Sequence, residues 1–336
     1  MKKRKLVTII LLAFLGFSAI SLGITHGKFS HMTSLDDAVM RQLDQPPMKG
    51  KLNLLLLGVD EDGTRADTIM LISVDNVNND IKLLSFPRDT KITLNNGRKM
   101  KLNAGIGMKN GEKFMVETIK MISKMPIHYY CKINFEGFKE IIDILDGVDY
   151  TVPYDMDYDD PVQNLHIHLK AGFQHLDGQA AHDFVRFRHN NKGASVYAPG
   201  EYAKGDIGRI SAQQDFLAEL FRQKMQPQYL LKTPWLLDAG SKYVQTNFTM
   251  GTAMEFVSML KSAETTELKT FLLPGIDRYE NGVSYYIYSP SETKKLVLEE
   301  FGYPEAAAKK LAETKKSAAN STSSSSATTT PAAEID

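Results

Sequence analysis

Between about residues 51 and 302 the hydrophobic pattern switches repeatedly between the period of a strand and that of a helix. Residues 52–59 are apolar apart from Asn53 and Gly58, which is typical of a strand buried on both faces. Further strands are predicted at residues 68–74, 81–86, 128–133, 165–169, 268–273 and 285–288. Helices are predicted at residues 112–123, 135–145, 206–224, 251–262 and 291–301. This order indicates an α/β fold in which helices cover a central sheet.

The N-terminus carries a separate signal. Residues 6–25 contain no charged residue and follow a cluster of cations at residues 2–5. A helix of that length spans roughly 30 Å, the thickness of the hydrocarbon core of a bilayer. The cations predict that residues 1–5 stay in the cytoplasm, that 6–25 form a transmembrane anchor, and that the rest is extracellular. A cleaved signal peptide ending near Ser21-Leu22-Gly23 is the alternative, and it also predicts export.

By composition, the remaining chain divides into a linker at 26–50, which the topology places outside the cell, a folded domain at 51–303 and a disordered tail at 304–336. The end of the tail is mostly Ser, Thr and Ala, which cannot offset the entropy of ordering. Over all 336 residues, 40 basic side chains balance 40 acidic ones, which argues against nucleic acid as a partner. Cys131, the single cysteine, excludes an intramolecular disulfide and a cysteine-rich zinc site.

Charged residues follow two of the predicted strands. Asp60, Arg65 and Asp67 come after the first strand, and Arg88 follows Pro87 after the third. Ligands of open α/β sheets collect at the carboxyl ends of strands, so these residues are candidates for a site. The alternatives are a surface turn with an ion pair and a solvated Arg88 paired with its neighbour in sequence.

Two later segments add cations. Residues 184–189 alternate apolar and cationic, so an extended conformation would point Arg186 and Arg188 to one side, as suits a diphosphate. In the helix predicted from Asp206, Arg209 and Gln213 overlap the edge of the apolar stripe. Polar groups buried there need a charged partner, so these turns should line a cavity. An N-cap role would explain Asp206 and leave the other two unexplained.

Together these segments supply several arginines with carboxylates among them. Arginine binds phosphate oxygens, and carboxylates suit a hard cation such as Mg²⁺, with Mn²⁺ as an alternative. Phosphoryl transfer depends mainly on positioning and charge neutralisation, so this set of residues suits it. No P-loop, GxGxxG, HExxH or GxSxG motif indicates another chemistry.

A series of short motifs resembles the LytR-CpsA-Psr (LCP) family of membrane-anchored cell-wall enzymes, in the family's order. They are GVD at 58–60, RADTIM at 65–70, SFPRDT at 85–90, KLNA at 101–104, NFEGF at 134–138, LDGQA at 176–180, VRFR at 185–188, and GDIGR at 205–209 followed by QQ at 213–214. Ala212 departs from the pattern, because family members usually carry an arginine there. The resemblance implies a three-layer α/β/α fold with a central mixed sheet.

It also implies an activity: transfer of a phosphoglycosyl polymer, such as wall teichoic acid or capsular polysaccharide, from a polyprenyl-pyrophosphate carrier to peptidoglycan. A lipid tunnel would lie between sheet and helices. The implied catalytic residues are Arg88, Asp67 and Arg65, and Asp67 is the candidate base. Asp60 and Asp67 would bind Mg²⁺, and Asp206 would orient the arginines. By the same resemblance the pyrophosphate would be held by Arg65, Arg88, Arg186, Arg188, Arg209 and Gln213.

Three other functions stay open: hydrolysis of the pyrophosphate, binding of the lipid carrier without catalysis, and regulation of envelope genes as a transcriptional attenuator. The exported topology and the lack of a basic DNA-reading helix argue against the regulator. A run of aspartates at 155–160 suggests a calcium loop, but the glycine and glutamate of an EF-hand are missing. His166 and His168 alternate on the outer face of their strand, where solvation is the simplest expectation.

Overall fold

The computed structural model describes residues 36–47, 50–75, 77–78, 80–191, 206–224, 239–240, 242–248 and 268–304. The predicted anchor at 6–25, the predicted helix at 251–262 and the end of the tail lie outside these ranges. Of the described helices, none combines the length and the apolar character that crossing a membrane requires.

The chain alternates strands and helices, as predicted. The strands are β1 Lys51–Val59, β2 Ala66–Asp75, β3 Asp80–Ser85, β4 Lys91–Thr93, β5 Lys99–Lys101, β6 Tyr129–Asn134, β7 Val148–Val152, β8 Met156–Asp160, β9 Leu165–Leu169, β10 Gly172–Leu176, β11 Val244–Thr246, β12 Lys269–Leu272, β13 Gly275–Glu280 and β14 Val283–Tyr288. The helices are α1 Asp37–Met40, α2 Gly111–Ser123, α3 Phe135–Ile144, α4 Gly178–Arg186, α5 Asp206–Lys224 and α6 Pro290–Leu296. A 3₁₀ turn, Leu102–Gly105, and a π turn, Val297–Phe301, complete the elements.

Six strands form the central sheet, in the order β11-β6-β1-β2-β3-β12. β1 runs parallel to β6 and antiparallel to β2, while β3 runs antiparallel to β2 and parallel to β12. The sheet is therefore mixed. The hairpins β4–β5, β8–β9 and β13–β14, together with the pair β7–β10, form small two-stranded sheets around it.

Apolar side chains cover both faces of the sheet, as β1 illustrates. Leu54 and Leu56 pack in the core beneath α3, α4 and α5, and Leu55 and Leu57 pack in the core beneath α2 and the π turn. Successive side chains of a strand point to opposite faces, so one apolar run supplies both cores. Asn53 is fully buried, where its Nδ2 donates to the Pro126 carbonyl at 2.8 Å. The expected α/β/α arrangement is confirmed.

Most of the predicted elements are confirmed to within two residues at their ends. The segment at 184–189, where an extended conformation was considered, is helical as far as Arg186 and becomes extended only at Phe187. Asp177 begins α4 by accepting a hydrogen bond from the Ala180 amide at 2.8 Å. Ala181 and Phe184, three residues apart, then lie together in the core. This helical period, and not the alternation of apolar and cationic side chains, sets the conformation up to Arg186.

Candidate active site

A polar cleft of about 570 Å³ lies near the start of β2, the end of β3 and the N-termini of α3 and α5. Its walls include four of the predicted arginines, one predicted aspartate and the predicted glutamine. These residues are Asp67, Arg88, Arg186, Arg188, Arg209 and Gln213. Residues that are up to 146 positions apart in sequence, from 67 to 213, thus line a single cavity.

Arg88 and Asp67 form an ion pair in the cleft, with Nη1 and Oδ1 2.6 Å apart. Arg88 follows Pro87 in the loop after β3. The 3₁₀ turn holds the backbone of Arg88 in place, because the Asn103 amide donates a hydrogen bond to the Arg88 carbonyl at 2.9 Å. Arg88 Nε also lies 3.9 Å from Asp89, whose other oxygen is 3.0 Å from Lys101. The KLNA motif therefore positions the arginine of the SFPRDT motif.

Cations dominate the electrostatics of Asp67. Burial acts to raise the pKa of this carboxyl, but Arg88, Arg209 and Arg186 outweigh it and lower the pKa below its ordinary value of 3.8. Asp67 is consequently ionised at neutral pH and is a weaker base than an ordinary aspartate. Its charge is better suited to orienting guanidinium groups or a cation than to accepting a proton.

Arg186 is fixed by an aromatic ring and an amide. Its guanidinium carbon lies 4.5 Å from the centroid of the Phe135 ring, and Nη2 donates to Gln163 Oε1 at 2.9 Å. Burial lowers the pKa of Arg186, and the opposing charge of Asp67 raises it. Because arginine stays charged in proteins, the desolvated cation is directed at whatever anion enters the cleft.

The first turns of α5 contribute buried polar groups, as the sequence predicted. Arg209 is 4% exposed and Gln213 is 6% exposed. Gln213 Nε2 donates to the Val185 carbonyl at 3.0 Å, which ties α5 to the end of α4. Gln214 donates to Ser85 Oγ at 2.8 Å and thereby ties α5 to β3. The paired glutamines fix the helix that carries Arg209, and Ala212 between these residues packs in the core.

Two predicted site residues, Asp60 and Arg65, are not among the described residues that line the cleft. Asp60 Oδ1 accepts hydrogen bonds from the amides of Thr64 and Arg65, at 2.9 and 3.0 Å, so this carboxylate caps its own turn. Arg65 is exposed on that turn. Asp206 is the first residue of α5, and its side chain lies outside what the structure describes.

The donor set of the cleft fits Mg²⁺ that is shared with a phosphate ligand. Mg²⁺ usually takes one or two protein carboxylates and completes its octahedron with phosphate oxygens and water. Asp67, whose side chain is 13% exposed, offers such a carboxylate. Among the described residues, the cluster of three potential ligands that could hold an ion unaided lies elsewhere, on β8 and β9.

An apolar cavity of about 800 Å³ adjoins the polar cleft, between the sheet and helices α3 and α5. Leu56 and Met70 of the sheet, Phe138 and Ile141 of α3, and Leu220 of α5 belong to its lining. The two cavities share Thr68, Phe135, Val185 and Gln213. A molecule with a charged head and an apolar chain can therefore occupy both at once.

The residues of the cleft lining that the sequence did not predict as site residues include Phe135, Tyr158, Gln163 and His189. Tyr158 and Gln163 belong to β8 and the turn after it, a stretch whose aspartates suggested a calcium loop. The available signal was the alternation of Met156 and Tyr158 with aspartates, which is typical of a half-buried strand. The ring of Tyr158 packs edge-on against His189, with centroids 5.2 Å apart.

Comparison with known proteins places this geometry in a family. The family model LytR_cpsA_psr matches residues 20–300. Polyisoprenyl-teichoic acid–peptidoglycan teichoic acid transferase TagV of Bacillus subtilis (strain 168) is 28% identical over 254 residues, which are 73% of this chain and 62% of the relative. The chain thus spans less than two thirds of the length of that relative. The transferase TagU of Bacillus cereus (strain ATCC 14579) is 30% identical over 73% of this chain and 75% of its own length.

The fold agrees with the sequence comparison. The crystal structure of B. subtilis TagV superposes with a TM-score of 0.61 at 26% identity, covering 76% of this chain and 99% of that structure. Sequence, fold and ordered motifs thus all agree, and the chain belongs to the LytR-CpsA-Psr family.

Proposed function

We propose that this protein transfers a phosphoglycosyl polymer, either wall teichoic acid or a capsular or other cell-wall polysaccharide, from a polyprenyl-pyrophosphate carrier to a peptidoglycan hydroxyl. The observation that carries the proposal is the junction of the arginine-lined cleft with the apolar cavity. A pyrophosphate suits the arginine-lined cleft, and a polyprenyl chain suits the apolar cavity. The names of the relatives, teichoic acid transferases, support the polymer class.

In the proposed reaction the oxygen of the peptidoglycan hydroxyl attacks the phosphorus that carries the glycan. The bond from that phosphorus to the bridging oxygen breaks, and the electron pair leaves with polyprenyl monophosphate. The hydroxyl proton passes to solvent. The product is a phosphodiester between glycan and peptidoglycan.

The chain's own contribution is to position and neutralise the pyrophosphate. Arg88, Arg186, Arg188 and Arg209 would bind its oxygens, and Gln213 would add an amide donor. Preorganised donors of this kind stabilise charge that develops on a leaving phosphate. Asp67 keeps Arg88 oriented through their 2.6 Å contact. Mg²⁺, held by Asp67 and phosphate oxygens, would supply further neutralisation of the pyrophosphate charge.

The same proposal includes a location. Residues 1–5 would lie in the cytoplasm, 6–25 would cross the membrane, and the catalytic domain would face peptidoglycan outside the cell. The uncharged stretch of twenty residues after the basic end supports this topology. A C-terminal fusion to a reporter that works only outside the cell should give a signal, and a fusion to a reporter that works only in the cytoplasm should not. A signal from the cytoplasmic reporter would contradict the topology.

The activity is tested by incubating the full chain in detergent with Mg²⁺, a polyprenyl-pyrophosphate-linked glycan and peptidoglycan. We expect glycan attached to peptidoglycan through a phosphodiester, together with polyprenyl monophosphate. Free glycan phosphate would instead indicate hydrolysis of the pyrophosphate. Tight binding of the carrier without either product would indicate a non-catalytic binder.

A further inference from the structure

The hairpin β8–β9 bears histidines and aspartates on its outer face, where the proposed reaction makes no use of them. In the antiparallel register Asp157 lies opposite His168, and Asp159 lies opposite His166. All four side chains are exposed. Residues two apart on paired strands point to the same face, so these side chains form one compact group, which we call the His–Asp quartet.

Three of the four residues, Asp157, Asp159 and His168, already hold their ligand atoms close together, and His166 contacts one of them. His166 Nδ1 lies 2.5 Å from Asp159 Oδ1, and His168 Nδ1 lies 2.7 Å from Asp157 Oδ1. The other nitrogen of His168, Nε2, lies 3.4 Å from the same Asp159 oxygen, which links the two pairs. Asp157, Asp159 and His168 offer one ligand atom each within 4.8 Å of one another. Ligands of a tetrahedral zinc ion lie about 3.3 Å apart, given bonds of about 2.0 Å.

The donor types indicate which metal would bind. Two imidazoles with two carboxylates suit Zn²⁺ and its neighbours among the transition metals, whereas Mg²⁺ and Ca²⁺ prefer oxygen ligands alone. The nearby cation Lys170 is paired with Asp155, its Nζ 3.0 Å from that carboxylate. The positive charge beside the quartet is therefore partly compensated.

We propose that the His–Asp quartet binds one divalent transition-metal ion of the Zn²⁺ type. His168 supplies a nitrogen, and Asp157 and Asp159 each supply an oxygen. His166 lies outside this three-ligand cluster and would supply a second nitrogen after its side chain turns toward the ion. The hairpin is preformed for this: Asn190 Oδ1 accepts from the Asp157 amide at 2.6 Å, and Asn191 Nδ2 donates to the Asp159 carbonyl at 2.6 Å. The backbone beneath both aspartates is thus held in place without a metal.

The quartet is separate from the proposed magnesium site, although one hairpin connects them. Tyr158 and Leu165 project from the opposite face of the hairpin and line the polar cleft, and Gln163 in its turn contacts Arg186. A metal ion on the outer face would fix this wall of the cleft without contacting the phosphates.

The structure provides a matched control for the test. His175 and Asp149 form another exposed cross-strand pair, with Nδ1 and Oδ1 2.8 Å apart, on β10 and β7. It has the same chemistry as one half of the quartet but is not part of the three-ligand cluster that the described residues contain. A surface Asp–His pair that binds metal only weakly should behave like this control.

The experiment is titration of the metal-free full chain in detergent with Zn²⁺, followed by calorimetry. We expect one bound equivalent that a large excess of Mg²⁺ does not displace. The variant carrying His166→Asn and His168→Asn should lose that equivalent, and so should the variant carrying Asp157→Asn and Asp159→Asn. His175→Asn and Asp67→Asn should retain it. Both double variants are expected to keep the metal-free melting temperature, because the exchanged side chains are exposed.

Three results would overturn the proposal. They are the absence of a stoichiometric Zn²⁺ equivalent in the wild type, its retention in both double variants, and its loss in His175→Asn. The readout is metal binding and not transfer, so failure here leaves the proposed phosphotransferase untouched.

Discussion

Arg88 and Asp67, 21 residues apart in the sequence, meet with Nη1 and Oδ1 2.6 Å apart. The two strands that precede and contain them, β3 and β2, are antiparallel neighbours, so the end of one lies beside the start of the other. This pairing brings a guanidinium and a carboxylate to one edge of the sheet. Both residues belong to motifs that are conspicuous in the sequence, RADTIM and SFPRDT, and the sheet explains why the two motifs occur together.

Replacing Arg88 with alanine should strongly reduce transfer. The loss of one preorganised donor to a developing charge costs about 10²–10³-fold in rate. Arg88→Lys should recover only part of the rate, because an ammonium lacks the planar fork of donors. The measurement is phosphodiester product formed per minute, with Arg98→Ala, on the exposed β4–β5 turn, as the matched control. An Arg88→Ala variant as fast as the control would refute the role of Arg88.

The charge of Asp67 should stabilise the fold in a pH-dependent way. Its pKa is lowered in the folded state, so the stabilisation is present above the unfolded pKa of about 3.9. As pH falls through the lower folded pKa, the carboxylate is protonated and the stabilisation is lost. The free energy of unfolding of the wild type should exceed that of Asp67→Asn at pH 7, and the difference should shrink below about pH 4.

This prediction is measured by urea unfolding of both proteins between pH 7 and pH 3. A difference that is constant over that range would mean that Asp67 acts through its shape and not through its charge. Asp60→Asn serves as a comparison, because Asp60 accepts hydrogen bonds from backbone amides of its own turn.

Asp67 and Asp60 should also differ in their effect on the magnesium requirement. Asp67→Asn removes the carboxylate that lines the cleft and should raise the Mg²⁺ concentration needed for half-maximal transfer. Asp60→Asn should leave that concentration nearly unchanged, since Asp60 caps a turn. The measurement is initial rate against Mg²⁺ concentration. A larger shift for Asp60→Asn would return the metal-binding role to Asp60.

The ring of Phe135 should contribute to pyrophosphate binding through Arg186. A cation–π contact is worth about 0.5–2 kcal/mol, so Phe135→Leu should weaken binding of a polyprenyl pyrophosphate by about 2- to 30-fold. Phe135→Tyr retains an aromatic face and should bind nearly as tightly as the wild type. Equal affinities for the leucine and tyrosine variants would show that the ring does not position Arg186.

The apolar cavity should select carriers by the length of their lipid chain. Ile141 lines this cavity, so Ile141→Trp would place a larger side chain in the space proposed for the lipid chain. We expect turnover with a long polyprenyl chain to fall several-fold while turnover with a short chain is largely retained. The ratio of the two rates in wild type and variant is the measurement. A uniform loss with both carriers would indicate misfolding.

The fold was predictable from sequence where side chains are buried on a regular period. Residues 52–59 and the strict alternation of 165–169 gave their strands directly. Shorter elements escaped because their patterns are ambiguous: β8, with the sequence MDYDD, has one apolar face of only two residues. The conformation of the stretch around Arg186 stayed open, because its alternation of apolar and cationic residues suits an extended segment while Ala181 and Phe184, three residues apart, suit a helix.

The candidate site was predictable in its charges but not in its supporting contacts. Charged side chains at strand ends and on an apolar helix stripe, such as Arg88 and Arg209, are conspicuous because their burial requires a partner. Phe135 and Gln163 carry no such signal, since an aromatic residue and a turn glutamine are ordinary at those positions. Arg65 and Asp60 were equally conspicuous, yet the bulge at Gly58 and Val59 leads into a turn that uses Asp60 for itself.

Binding of one pyrophosphate by arginines that are distant in the sequence is the step on which the proposed function depends. It is tested most directly by the affinity of the full chain for a polyprenyl pyrophosphate, measured for wild type and for Arg88→Ala, Arg186→Ala, Arg209→Ala and Arg98→Ala. We expect each of the first three variants to bind at least about tenfold more weakly, a loss of about 1.4 kcal/mol, and the fourth to bind like the wild type. Unchanged affinity in all four variants would contradict this proposal.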